Sequence, residues 1–168
     1  MTVENQYFNP ERYKIIPRVL IFSTREDKLL LIKGSPDKKL WPNLYNGIGG
    51  HVEKGENILS AAKREFYEET GLELLDPQLS VVVTIDTGKT VGICMFVFIG
   101  NAGEGALLPS TEGDLYWVDL FSIDSLPMVE DLETLLPNVL NKDKSSPILY
   151  AQYSYNNSGI LIEFDGGN

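Results

Sequence analysis

The chain has 168 residues, 43% hydrophobic and 23% charged, with a formal net charge of −10, which suits one domain over residues 1–168 and repels nucleic-acid backbones. A small phosphorylated substrate remains compatible with that charge, because a divalent cation can reverse the local field. The single cysteine, Cys94, excludes an internal disulfide, the start Met-Thr-Val-Glu-Asn-Gln lacks the features of a secretory signal, and no apolar run approaches the ~20 residues that cross a bilayer, so a cytoplasmic protein without a membrane partner is expected.

Residues 1–11 are polar, with Pro10 as a stop, and read as a loose arm or a short edge element. Tyr13 to Ser23 is apolar and β-branched, hence a strand, and Pro17 within it points to a sheet edge or a bulge. A charged turn, Thr24 to Lys28, leads to a second strand, Leu29 to Ile32, which completes a hairpin. After a polar loop from Gly34 to Lys39 comes Gly47-Ile48-Gly49-Gly50, whose three glycines allow positive φ and close backbone approach. Asn57 is the expected N-cap of a helix from Ile58 to about Thr70, with Gly71 as its C-terminal stop. Ile58, Ala61, Ala62, Phe66 and Thr70 recur at helical spacing on its core face.

Val81 to Ile85 and Val91 to Ile99 form a hairpin turning at Asp86 to Lys89, with Cys94 buried and inert in the second strand. A loop from Gly100 to Glu112 precedes a strand from Asp114 to Leu120, in which Trp117 is a core residue by its alternation. Ser122 to Leu126 makes a short helical turn. Val129 to Leu140 is a second helix that Pro137 should end or kink. Ile148 to Tyr155 and Ile160 to Phe164 close the chain as a hairpin around Asn156 to Gly159. Strands and helices alternating in this order predict an α+β or mixed α/β sandwich, with helices packed on a mixed sheet. Exposed strand edges near Pro17 and at the C-terminal hairpin leave both a monomer and a homodimer open.

The chemistry concentrates between Gly50 and Leu72. Glu65, Glu68 and Glu69 stand at i, i+3 and i+4, so a helix gathers them on one face. Such like charges destabilise a bare helix, and an all-oxygen cluster suits Mg²⁺, Mn²⁺ or Ca²⁺ better than zinc. His51, the one histidine, does not make a zinc site beside these acids.

Gly50, Glu56, Arg64, Glu65, Phe66, Glu68, Glu69, Gly71 and Leu72 together fill every specified position of the Nudix hydrolase signature, without insertion. The chain is identified by them as resembling that superfamily, which implies an αβα sandwich and metal-dependent cleavage of a diphosphate linkage. The resemblance makes Glu68 and Glu69 direct ligands of Mg²⁺ or Mn²⁺, and Glu65 either a ligand or the base that deprotonates water. It gives the Gly50 carbonyl a place in the coordination. Glu56 is then a supporting residue, and Arg64 orients the carboxylates. Glu112, in the run Glu112-Gly113-Asp114-Leu115-Tyr116-Trp117-Val118, is similar to an acid that reaches the metals in MutT-like members. His51 either touches a phosphate or is structural.

Asn46, four residues before Gly50, and Asp131 (or Glu130) match the base-reading positions of 8-oxo-dGTP diphosphatase-type members. An amide and an acid offer complementary hydrogen bonds to a guanine edge. An aromatic often found before the acid pair is Val129 here. The resemblance therefore implies hydrolysis of a purine nucleoside triphosphate, such as 8-oxo-dGTP, to monophosphate and pyrophosphate. The alternatives are ADP-ribose or another dinucleotide-type diphosphate as substrate, or a non-catalytic nucleotide-sensing domain. The intact acids weigh against sensing alone. A Nudix-fold isomerase of isoprenoid diphosphates lacks its expected cysteine loop here.

Overall fold

A computed structural model describes residues 11–110, 112–143, 145–156 and 159–165. The expected arm lies almost wholly outside these residues, as do Asn157 and Ser158 of the C-terminal turn. The elements run β1 (Lys14–Arg25), β2 (Lys28–Gly34), β3 (Tyr45–Asn46), β4 (Ile48–His51), α1 (Ile58–Thr70) and β5 (Leu74–Ile85). They continue with β6 (Val91–Ala102), β7 (Gly113–Asp119), a 3₁₀ segment (Leu120–Ser125), α2 (Leu132–Leu140), β8 (Leu149–Asn156) and β9 (Gly159–Asp165).

The strands form one mixed sheet in the order β3-β2-β1-β6-β5-β8-β9, with β4 also pairing β1 and β7 also pairing β2. Period-two alternation sends neighbouring residues of β1 and β2 to opposite faces. Leu20, Phe22, Leu29 and Leu31 pack with Leu132, Leu135, Leu136 and Val139 of α2. Val19, Ile21, Leu30 and Ile32 pack with Ala61, Ala62 and Phe66 of α1. The result is the mixed sheet flanked by helices that the element order predicted.

Several local expectations are corrected. Pro17 lies in an interior strand, not at an edge: β1 pairs β6 in parallel, with Pro17 opposite Cys94, and pairs β4 on its other side. The Pro17 carbonyl accepts from Val52 N (3.1 Å), one step past the final β4 pair, Arg18–His51. In an extended strand a residue's N and O face the same side, so the missing donor meets the end of the β4 ladder and costs β6 nothing.

Gly47, Gly49 and Gly50 do not use positive φ. Their need is for space: a Cβ at Gly49 would strike the Val19 carbonyl, and one at Gly47 would come within 2.9 Å of Leu20 and Phe22 side-chain atoms. Pro137 does not stop α2, which runs on to Leu140. It sits on the exposed face above exposed Glu133, so the carbonyl it leaves unbonded meets water. That helix begins at Leu132 rather than Val129, because the stretch from Pro127 to Val129 pairs with Tyr45 as extended chain. The expected loop from Gly100 starts only after Ala102, since β6 pairs with β5 that far.

Candidate active site

The helix that carries the acids is held at both ends. Asn57 Oδ1 accepts from Leu59 N and Ser60 N, each at 3.0 Å. Gly71 takes a left-handed conformation (φ 74°) and donates to Tyr67 O at 2.8 Å. Ala61, Ala62, Phe66 and Thr70 are buried beneath, so Glu65, Glu68 and Glu69 are carried on the rest of the helix surface.

Arg64 organises them. Its Nε and Nη2 grip Glu56 at 3.1 and 2.6 Å, Nη1 reaches Glu65 Oε1 at 2.9 Å and Glu68 Oε2 at 3.2 Å, and Nη2 also donates to His51 O at 2.9 Å. Glu56 Oε1 in turn accepts from Glu53 N at 2.7 Å. These bonds, Arg64 foremost, hold the Glu56 carboxyl below the usual range, and Glu56 holds the Arg64 guanidinium firmly protonated. Gly50 lies against the Glu65 carboxyl group so closely that a Cβ there would collide with it.

The remaining site residues arrive from other elements. Leu108 N donates to Thr70 O (2.9 Å), which turns the segment after β6 back over the end of α1. That return brings Glu112 into the acidic group, where it pairs with Lys38. Glu69 shows the crowding most clearly. Burial first, then the charges of Glu65, Glu112 and Glu68, push its carboxyl up to about 8, with Lys38 opposing. His51 is exposed and its Nε2 accepts from Arg18 Nε at 3.2 Å.

Asn46 and Asp131 come to line one cleft because the chain after the 3₁₀ segment adds to β3: Tyr45 N donates to Pro127 O at 2.9 Å and Val129 N to Tyr45 O at 3.1 Å. Asn46 Oδ1 accepts from Gly47 N (2.8 Å), which turns Nδ2 into the group available to a ligand. Burial, with a smaller push from Glu130, raises the Asp131 carboxyl above its ordinary value. Glu130, the alternative to Asp131, instead accepts from Ile160 N at 3.3 Å and steadies the start of β9.

One cleft of about 990 Å³ is lined by Asn46, Gly50, His51, Glu65, Glu68, Glu69, Glu112 and Asp131. Arg64 and Glu56 stand behind this wall rather than in it. The cleft also takes in Lys38, Tyr153 and Tyr155, which sequence reasoning did not single out. The alternation of β8 marks Tyr153 as inward-facing, but nothing local says that its neighbours include a cleft. Trp117 packs on the α1 side of the core under the Arg25 guanidinium (4.8 Å), as its alternation predicted. Cys94 is buried, and burial pushes its thiol up, which keeps it inert.

Among the described residues, no three His, Cys, Asp or Glu side chains stand ready at metal-holding distance. Arg64 engages one oxygen each of Glu65 and Glu68 and leaves the other as a donor. The donors are all oxygens, which fits a hard divalent cation, and such a cation would relieve the like-charge crowding at Glu69. No helix among the described residues is long and apolar enough to cross a membrane.

The NUDIX domain model matches residues 14–139. A Bacillus subtilis protein named as the uncharacterised Nudix hydrolase YvcI is 30% identical over 144 residues, covering 83% of this chain and 86% of its own length. An oxidized purine nucleoside triphosphate hydrolase from Danio rerio is 32% identical over 131 residues, covering 71% of this chain and 74% of its own length. The crystal structure of a MutT protein from Bacillus halodurans superposes with a TM-score of 0.77 at 27% identity, covering 92% of this chain and all of that one. The chain belongs to the Nudix hydrolases, and its activity is that of a pyrophosphohydrolase acting on phosphoric anhydrides.

Proposed function

We propose that this enzyme hydrolyses a purine nucleoside triphosphate, including an oxidised one such as 8-oxo-dGTP, to the monophosphate and pyrophosphate, with Mg²⁺ or Mn²⁺. The observation that carries the reading is a single cleft with two chemically distinct groups along it. Glu65, Glu68, Glu69 and Glu112 form one group, and Asn46 with Asp131 forms the other. A volume of about 990 Å³ accommodates a nucleotide between them. The Danio rerio relative, named for oxidised purine nucleoside triphosphates, supports the same substrate class.

Glu68, Glu69, Glu112 and the Gly50 carbonyl are the proposed cation donors, and Glu65 is either a further donor or the base for water. A bound divalent cation supplies charge neutralisation at the phosphates and a more acidic water. Arg64 and Glu56 hold the carboxylates in place. Asn46 Nδ2 and the Asp131 carboxyl present a donor and an acid to the base edge. His51, with Arg18 behind it, lies on the cleft wall where phosphates would pass.

The test is a panel of nucleoside triphosphates, 8-oxo-dGTP, ADP-ribose and dinucleoside polyphosphates with Mg²⁺, read as release of pyrophosphate or phosphate. Pyrophosphate from purine triphosphates is expected. Turnover of ADP-ribose with none of any triphosphate would reject the substrate reading. Glu68→Gln combined with Glu69→Gln should lower kcat by on the order of 100-fold or more, and a double variant as fast as wild type refutes the ligand assignment.

A further inference from the structure

Tyr153 is 1% exposed and its hydroxyl oxygen is buried without a hydrogen-bond partner. Buried polar groups are nearly always paired, so an orphan asks for an explanation. Among the described residues the other such atoms are Ser23 Oγ and Ser80 Oγ, and neither residue lines the catalytic cleft. Tyr153 does, beside Asp131 and Tyr155. The strand that carries it is well fixed: β8 pairs Tyr153 with Ile85 on one side and Ile162 on the other, and Asp86 N donates to Tyr153 O at 2.9 Å. The ring packs in the core cluster with Leu132, Leu135 and Val83. A rigid ring in the wall of a cleft, with an unpaired hydroxyl, is a preorganised hydrogen-bonding group.

We propose that Tyr153 is a specificity-determining residue, whose hydroxyl donates a hydrogen bond to a carbonyl oxygen on the edge of the substrate's base. The proposal rests on the nucleotide reading above. The hydroxyl is able to donate, because burial and the nearby Asp131 both keep the phenol protonated. Asn46 Nδ2, Asp131 and Tyr153 then supply three separate polar contacts in a cleft whose lining also includes Ile85, Ile93 and Met95. A base without the matching acceptor would leave the hydroxyl buried and unpaired, which is how such sites discriminate.

Tyr153→Phe removes only the hydroxyl. The panel is dGTP, dITP, the triphosphate of 2-aminopurine deoxyriboside, which lacks the carbonyl, and inorganic tripolyphosphate. The variant should lose roughly tenfold in kcat/KM on dGTP and dITP, mainly through KM, and little on the other two. Its unfolding temperature should equal or exceed that of wild type, because an orphan hydroxyl has gone. Unchanged KM across the panel overturns the role of Tyr153 while leaving the nucleotide reading intact. An equal loss on all four compounds with a lowered unfolding temperature overturns it too, since that marks a packing effect. A wild type that cleaves no purine nucleoside triphosphate overturns the nucleotide reading and this proposal together.

Discussion

Arg64 makes the clearest case for argument at the level of single residues. One guanidinium meets Glu56, Glu65, Glu68 and the His51 carbonyl in a geometry that a planar fork supports and a point charge does not. Arg64→Lys should therefore weaken metal-supported activity by about 10- to 100-fold, measured as initial rate against Mg²⁺ concentration. A lysine variant with the wild-type metal dependence would reject the clamp. Asp131 is a different case. Its folded-state carboxyl lies above its unfolded value because it is buried, so between the two values the native state binds the proton that the unfolded state has lost. Stability from this group is present below the ordinary carboxylate value and is lost as pH rises through the folded one. Asp131 makes no side-chain cap bond to α2, so Asp131→Asn sacrifices none. Urea unfolding should show the variant more stable than wild type near pH 7, with the two converging as pH falls toward the carboxylate range. A variant less stable at every pH would contradict the assigned burial cost.

Among the elements, the contact of β4 with α1 sets the spacing of the site. Gly50 lies close against α1, and a methyl group there would occupy the space of the Glu65 carboxyl. Gly50 has no positive φ, so backbone strain does not enter. Gly50→Ala should lower kcat/KM by about 100-fold through displaced carboxylates, with little change in unfolding temperature. Equal losses of stability and activity would mean that the strand itself had been disrupted. The bounds of α1 agree with expectation because its stop signals are local: Asn57 caps it and Gly71 terminates it. The start of α2 differs from its leucine spacing because the stretch before it pairs with Tyr45, a partner far away in sequence. Pro17 lies inside the sheet for a related reason. A proline's position in a sheet depends on which neighbour needs its missing donor, and that depends on where β4 ends.

At the scale of the whole molecule, the sheet connects parts of the site that lie far apart in the chain. The acids of α1, Glu112 ahead of β7, Asn46 of β3, Asp131 beside α2 and Tyr153 of β8 share one cleft. A net charge of −10 surrounds it, which is tolerable for an acidic substrate only with cations between the two. The sequence by itself determined the reaction class, the acid-bearing helix and the layered fold. Those depend on short-range spacing, caps and periodicity, which the chain carries locally. Only the tertiary structure decided that Asp131 rather than Glu130 enters the cleft, that Lys38 pairs with Glu112, and that the Tyr153 hydroxyl is buried without a partner. Each of these depends on contacts between residues distant in the chain, which strand pairing and layer packing create and no local pattern encodes.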